Sequence, residues 1–249
     1  MIIDTHCHIY KSEMEDAEEI IKKAAKNDIR IILNGTNPLS NKEVLELSSK
    51  YDNVYAALGY LYSFADEVTD GDILLLDNQL DSDKVVAVGE IGLDYYHTKE
   101  NRDKQKQLFE KMLNLAEKHD LPVIVHSRKS MQDTFDILKK HDAVGSMHSY
   151  QGSVEMAQEF IKLGFYIGIG GTITHKNNKK TKMLVKKIDI GHMLVETDSP
   201  YLTPEEKRGE RNTSLNLNYI TSKMAQELDM GEDEVIEITA QNAKRLFKI

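Results

Sequence analysis

The sequence predicts an α/β fold, a single (β/α)8 barrel of the TIM type in which residues 1–249 form one domain. Short apolar, β-branched runs alternate with longer amphipathic stretches along the chain, the rhythm of a parallel sheet crossed by helices. There are eight such strand-like runs. No internal repeat, low-complexity tract or Pro/Gly-rich linker breaks the rhythm, and barrels of this kind commonly need about 250 residues.

The elements follow in order. Ile2–His8 opens as an apolar strand with a polar end, and Met14–Lys26 continues with apolar residues at helical spacing. Ile29–Asn34 is the second strand. Asn41–Lys50 is the second helix, with Asn41 placed to cap its free N–H groups. Val54–Gly59 is the third strand, and Ala65–Leu80 can hold a short helix. Val85–Ile91 and Pro122–His126 are almost wholly apolar, as strands buried on both faces should be, with the helix Lys104–Lys118 between them. Met131–Lys140 leads into the strand Ala143–His148. Ser153 caps the helix Val154–Leu163 and Gly164 closes it. Phe165–Ile169, a short helix over Lys179–Lys187, the strand Met193–Glu196 and the helix Asp233–Phe247 complete the chain. A doubly wound open sheet would bring a Gly-rich turn after its first strand, where this chain has His6-Cys7-His8-Ile9, so the barrel is preferred.

Composition narrows the function. With 40% hydrophobic and 29% charged residues, the chain is ordinary globular material. At 249 residues it can bury a large core without disulfides or a structural metal, which leaves any metal free to be catalytic. The one cysteine, Cys7, cannot form an internal disulfide and suits a reducing compartment. The first residues show no basic and apolar leader, and no run of about 18 apolar residues occurs. The expectation is a soluble, cytoplasmic protein with no membrane association and no obligate protein partner. A net charge of −9 argues against a broad basic face for nucleic acid. It leaves room for a phosphodiester substrate, because bound cations and nearby lysines can reverse the sign locally. Lys176, Lys179, Lys180, Lys182, Lys186 and Lys187 form one such cluster, readable as a solvated helix face or as a substrate-steering patch.

The strongest functional signal is positional. The first strand ends in His6 and His8, the fourth in Glu90, the fifth in His126, the sixth in His148, and Asp198 follows the eighth. Barrel enzymes assemble their sites at the carboxyl ends of their strands. His6 and His8, two residues apart, should point to one side, leaving Cys7 to pack against a helix on the other. Glu90 ends the buried run Val85-Val86-Ala87-Val88-Gly89, where a carboxylate is costly without a compensating cation or donors. The remaining histidines read more plainly. His119 and His141 lie near helix ends, His192 belongs to the opposite face, and His97 and His175 lie in loops on the active face.

Four imidazoles and two carboxylates exceed what one tetrahedral catalytic ion takes. They suit two divalent cations about 3.5–4 Å apart that activate a water, with an ionised aspartate to accept its proton. Zinc, manganese and magnesium remain open, although imidazole favours the transition ions. No Ser/His/Asp arrangement or G-x-S-x-G elbow competes.

Taken together, Asp4-Thr5-His6-Cys7-His8, Gly89-Glu90-Ile91-Gly92-Leu93-Asp94-Tyr95 and Pro122-Val123-Ile124-Val125-His126-Ser127-Arg128 resemble the TatD-like deoxyribonuclease family, within the wider amidohydrolase group. His148-Ser149-Tyr150-Gln151-Gly152-Ser153, Gly171-Thr172-Ile173-Thr174, Glu196-Thr197-Asp198-Ser199-Pro200-Tyr201 and the closing Asn242-Ala243 with Leu246-Phe247 extend the resemblance over the whole chain. It implies that His6, His8 and Asp198 hold one metal, that His126 and His148 hold the second, and that Glu90 bridges them. Asp198 would also accept the proton, with Glu90 its catalytic companion. Arg128, Asp94 and Tyr201 would orient ligands or substrate, and the activity would be exonucleolytic hydrolysis of DNA phosphodiester bonds. Two departures bear on substrate. Where the family carries G-x-H-P, this chain has Gly59-Tyr60-Leu61-Tyr62, and Leu61 cannot donate a hydrogen bond to a phosphate. Where it carries R-N-x-P, this chain has Arg211-Asn212-Thr213-Ser214.

Lys176 and Arg211, with Arg208, favour DNA as the substrate. Leu61 and the acidic charge favour a hydrolase of the same fold acting on a small phosphoester, lactone or amide. A binding protein without catalysis is disfavoured, because drift should have eroded at least one of six ligands and all are present.

Overall fold

The computed structural model describes residues 1–249. Eight parallel strands form one sheet in the order β1 to β8, each hydrogen-bonded to the next. They are β1 (Ile2–Cys7), β2 (Ile29–Asn34), β3 (Val54–Leu58), β4 (Val85–Asp94), β5 (Val123–Arg128), β6 (Gly145–Met147), β7 (Phe165–Ile169) and β8 (Met193–Val195). The sheet curls into a nearly closed barrel. Beside the last strand the Thr5 hydroxyl donates to the Val195 carbonyl at 3.0 Å, and the Asp198 N–H donates to the His6 carbonyl at 2.9 Å. The first contact joins β1 to β8 and the second joins β1 to the residues just after β8, where no regular ladder forms.

Helices α1 (Ala17–Lys26), α2 (Pro38–Lys50), α3 (Asp70–Gln79), α4 (Arg102–Lys118), α5 (Met131–Leu138), α6 (Val154–Lys162) and α7 (Lys179–Lys187) fill the crossovers between strands. They are followed by α8 (Leu217–Leu228) and α9 (Glu232–Phe247). Outward strand residues such as Ile31, Leu58, Val88 and Val125 pack on this helical layer, and Cys7 lies among them. Inward residues Ile3, Ile32, Ala57, Val86, Ile124 and Leu194 meet Ala240, Ala243, Leu246 and Phe247 of α9. The final helix therefore plugs the floor of the barrel, and the polar strand ends remain at the opposite mouth.

Three expectations are corrected. Asn41 does not cap α2: the helix begins at Pro38, and Asn37 accepts from the Ser40 N–H at 3.0 Å while the Ser40 hydroxyl accepts from Asn37 N–H at 3.1 Å. Proline is favoured in a first turn, so Asn37-Pro38 is the better start. Asn41 is instead fully buried and accepts from the Gly59 N–H at 3.3 Å, holding the β3 loop. Strands β6 and β8 each span three residues, so His148 and Glu196 lie just past their ladders. Helix α8 has no counterpart in the sequence reading. Its buried face carries Thr221 and Ala225 beside Leu217, Ile220 and Met224, which dilutes the apolar stripe.

Candidate metal centre

Two irregularities in the sheet set up the mouth of the barrel. The β1–β2 register shifts between Asp4 and Cys7, and the β4–β5 register shifts between Val88 and Ile91. Such shifts re-aim side chains. Here they fall around His6 and Glu90.

The six residues singled out from the sequence converge on one spot. His6 Nε2 and His8 Nε2 are 3.1 Å apart, and Glu90 Oε2 lies 3.6 Å from the first and 3.3 Å from the second. Asp198 Oδ1 is 3.5 Å and 3.6 Å from the same two nitrogens. The other carboxylate oxygen, Glu90 Oε1, faces elsewhere: it is 3.1 Å from His126 Nδ1 and 4.0 Å from His148 Nε2. Glu90 thus stands between two groups of donors, one from β1 with Asp198 and one from the ends of β5 and β6. Cys7 turns to the other side, with its sulfur 3.7 Å from the Ile32 carbonyl.

Most of these imidazoles are held from behind by the ring nitrogen turned away from the cluster. His8 Nδ1 pairs with the Asn34 carbonyl at 2.9 Å, His126 Nε2 faces Asp94 Oδ2 at 3.1 Å, and His148 Nδ1 faces Glu196 Oε1 at 3.0 Å. Partners of this kind fix the ring orientation and raise the basicity of the ligating nitrogen. His6 Nδ1 is buried without a partner, and its ring stacks on His148 with centroids 3.6 Å apart.

The electrostatics follow from crowding. Burial works to raise the Glu90 carboxyl, but the charge of His6 and hydrogen bonds from His126 and His8 hold it well below its usual range. Burial is likewise outweighed at Asp198, where His148 and bonds from His6 and His8 keep the carboxyl low. His148 is raised to about 9: burial opposes its charge, and Glu196 and Asp198 overcome that. Imidazoles bind metals only when neutral, so a divalent cation would take the place of the protons that these carboxylates otherwise favour on the histidines. Converging imidazole nitrogens and carboxylate oxygens, with two nitrogens at 3.1 Å, are a donor set that suits divalent cations of the zinc type.

Glu196 is a further candidate residue of the site, with no role assigned from the sequence. It is fully buried, accepts from His148 and from the Ser149 N–H at 2.5 Å, and its Oε2 has no partner. Its signal was a carboxylate two residues before Asp198 on a buried strand. Gly168 makes room for it, since a Cβ there would lie 2.3 Å from Glu196 Oε2. Asp4 is a second such group. It accepts from the Thr197 N–H at 2.9 Å, the Thr197 hydroxyl at 2.7 Å and the Ser214 hydroxyl at 2.5 Å, so it joins β1 to the residues after β8. Burial pushes its carboxyl up to about 7, against the hydrogen bonds from Ser214 and Thr197.

The residues expected to meet substrate are distributed unevenly. Asp94 is fully buried behind His126 and also accepts from Tyr96 N–H, His97 N–H and His97 Nδ1, each at 2.8 Å, so it orients a ring and is closed to substrate. Arg128 is exposed at the mouth, its guanidinium 4.1 Å from the Tyr96 ring centre. Tyr201 is half exposed, 6.2 Å from the His8 ring, and donates to Glu13 at 2.8 Å. Arg211 is engaged by Asp16 at 2.5 Å and 2.6 Å, so its charge is already countered. Lys176 is exposed on the loop after β7. The lysine cluster does not act as one patch: Lys186 pairs with Glu227, and Lys180 and Lys182 donate to loop carbonyls of Gln151 and His175. His119 and His141 pair with acidic residues, His119 with Asp77 and Asp81 and His141 with Glu117. His175 bonds the Thr203 carbonyl.

The family model for TatD-related DNases matches residues 3–248. The chain belongs to the TatD family. It is 39% identical over 254 residues to the uncharacterized metal-dependent hydrolase YabD of Bacillus subtilis, with both chains covered in full. The crystal structure of the TatD homolog YjjV of Escherichia coli superposes with a TM-score of 0.94 at 33% identity, covering 100% of this chain and 98% of that one. A TatD-family hydrolase of Entamoeba histolytica shares the fold, with a TM-score of 0.87 at 22% identity over 99% and 97% of the two chains. This TatD-family chain is a metal-dependent hydrolase, and no helix in it is long and apolar enough to cross a membrane.

Proposed function

We propose that this TatD-family hydrolase cleaves phosphodiester bonds in DNA, working from an end, with two divalent cations held by His6, His8, Glu90, His126, His148 and Asp198. The observation that carries the reading is the orientation of Glu90. Its Oε2 faces His6 and His8 while its Oε1 faces His126, so one carboxylate serves two donor groups. Cations held there would supply Lewis-acid activation of a water and of the phosphate oxygens.

The chain's own residues do the rest. Asp198 stays ionised at neutral pH because its histidine neighbours outweigh burial, which makes it ready to accept the water's proton on its carboxylate. Asp94 and Glu196 hold His126 and His148 in the orientation that turns a ring nitrogen inward. Arg128 at the end of β5 and Lys176 on the loop after β7, both exposed, offer positive charge to the flanking phosphates. The imidazole-rich set favours zinc or a similar transition ion over magnesium.

A second reading, a small phosphoester, lactone or amide as substrate, is favoured by Leu61 and by the engagement of Arg211 with Asp16. The two are separated with protein stripped of metal and reloaded with zinc, manganese or magnesium. Release of nucleotides from a 3′-labelled single strand that depends on the reloaded metal supports the DNA reading. Metal-dependent turnover of a lactone or simple phosphoester with intact DNA supports the second.

A further inference from the structure

This inference rests on the reading of Asp198 as a metal ligand and proton acceptor, and it concerns what holds that residue in place. Asp198 Oδ1 lies 3.5 Å, 3.6 Å and 3.8 Å from the Nε2 atoms of His6, His8 and His148. A small shift of its backbone would carry it off all three. That backbone is left-handed, with φ at 57°. Residues other than glycine rarely take this conformation, and it persists at functional sites where the surrounding structure enforces it.

The turn is held from both sides. Asn212 grips its carbonyls, the side-chain amide donating to the Thr197 carbonyl at 2.8 Å and to the Tyr201 carbonyl at 2.7 Å. Asp4 grips the other side, accepting from the Thr197 N–H at 2.9 Å and the Thr197 hydroxyl at 2.7 Å. The Thr197 hydroxyl itself accepts from the Ser199 hydroxyl at 2.6 Å and the Ser199 N–H at 3.2 Å. One carboxylate thus sets the residues on both sides of Asp198.

Asp4 is fully buried, and its partners are N–H and hydroxyl groups alone. A buried carboxylate needs strong donors to stay in one place. The shortest of its contacts comes from Ser214, also fully buried, whose hydroxyl donates to Asp4 Oδ2 at 2.5 Å. The Cys7 sulfur, 4.0 Å from the same hydroxyl, is a weak acceptor and cannot compete with a carboxylate. Ser214 stands where the family pattern has a proline, which carries no hydroxyl.

We propose that Ser214 is a positioning residue for Asp198, acting through Asp4 and Thr197. Its hydroxyl fixes the Asp4 carboxylate, and that carboxylate sets the turn that presents Asp198 to His6 and His8. No proton is transferred along this chain of contacts. His126 and His148 take their orientation from Asp94 and Glu196 instead, so their side of the centre does not depend on the link.

Ser214→Ala removes the hydroxyl and little volume. Metal-free parent and variant are titrated with zinc against a chromophoric chelator, which reads affinities without turnover. One of the two zinc affinities should fall about tenfold, the low end of the range for loss of a group that orients metal ligands, with the other unchanged. Asp4→Asn should weaken the same affinity, and the double variant should lose no more than Asp4→Asn alone, because contacts in series do not add. Thr239→Ala removes a buried hydroxyl that donates to the Val235 carbonyl within α9. It should lower the midpoint of thermal unfolding and leave both zinc affinities unchanged, which separates positioning from plain loss of stability. Unchanged affinities in Ser214→Ala would overturn the assignment, as would an equal loss of both or losses that add in the double variant. If the parent binds zinc but cleaves no bis(p-nitrophenyl) phosphate, the phosphodiester reading fails separately and the affinities still decide on Ser214. A parent that binds one ion overturns the two-cation reading, and the affinity for that ion decides in the same way. A parent that binds none overturns both.

Discussion

Gly168→Ala should weaken the candidate metal centre without touching any of its ligands. The added Cβ would lie 2.3 Å from Glu196 Oε2, 2.7 Å from Cδ and 3.0 Å from Oε1. A side-chain tip can usually move aside, but this one is fully buried and its Oε1 is committed to His148 Nδ1 at 3.0 Å and to the Ser149 N–H. Relief of the clash must therefore pull the carboxylate off His148. Hydrogen bonds to charged groups are worth about 1.5–3 kcal/mol, and loss of a partner behind a metal-binding histidine typically lowers metal affinity about 10- to 100-fold. The two figures agree, since tenfold is about 1.4 kcal/mol. Overpacking adds a global cost of about 1–3 kcal/mol, so a lower midpoint of thermal unfolding should accompany the weaker binding. Competition with a chromophoric chelator measures the affinity, and Glu196→Gln, which keeps the volume and removes the charge, isolates the electrostatic part. Unchanged affinity in Gly168→Ala would refute the idea that Glu196 positions His148. So would the same loss of affinity in a Gly168→Ala, Glu196→Ala double variant and in Gly168→Ala, with none in Glu196→Ala alone.

Other outcomes follow from the same geometry. Asp198→Asn should lower kcat by about 100- to 10,000-fold, the usual worth of a general base, when initial rates are measured at saturating metal. Glu90→Gln faces both donor groups and should reduce the metal content from about two ions per chain to about one or fewer by elemental analysis, whereas loss of a ligand that serves one group should spare the other. Leu61→His, which restores a donor where the family pattern has one, should raise phosphodiester kcat/KM; steady-state kinetics on the variant and the parent chain decide this.

Local chemistry made much of this protein legible. The alternation of strand and helix patterns, the both-face burial expected of parallel strands, and the placement of His6, His8, Glu90, His126, His148 and Asp198 at strand ends are properties of contiguous residues. A barrel then converts position along each strand into position at one mouth, which is why sequence alone groups six residues scattered over almost 200 positions. Ser153 and Gly164 marked the ends of α6 for the same local reason.

What tertiary structure decided is how each side chain finds its partner. Asp94, which the sequence left as orienting either a ligand or substrate, is buried behind His126, because β4 runs on to Asp94 beside β5. Arg211 looked free and is matched by Asp16, 195 residues away. Glu196 carried no role until His148 and Gly168 were brought against it across β6, β7 and β8. Helix α8 and the cap at Asn37 depended on packing and on competition between neighbouring starts. The types and strand-end positions of the candidate ligands are written in short stretches of sequence, whereas the groups that orient them come from distant strands and are set only when the barrel closes.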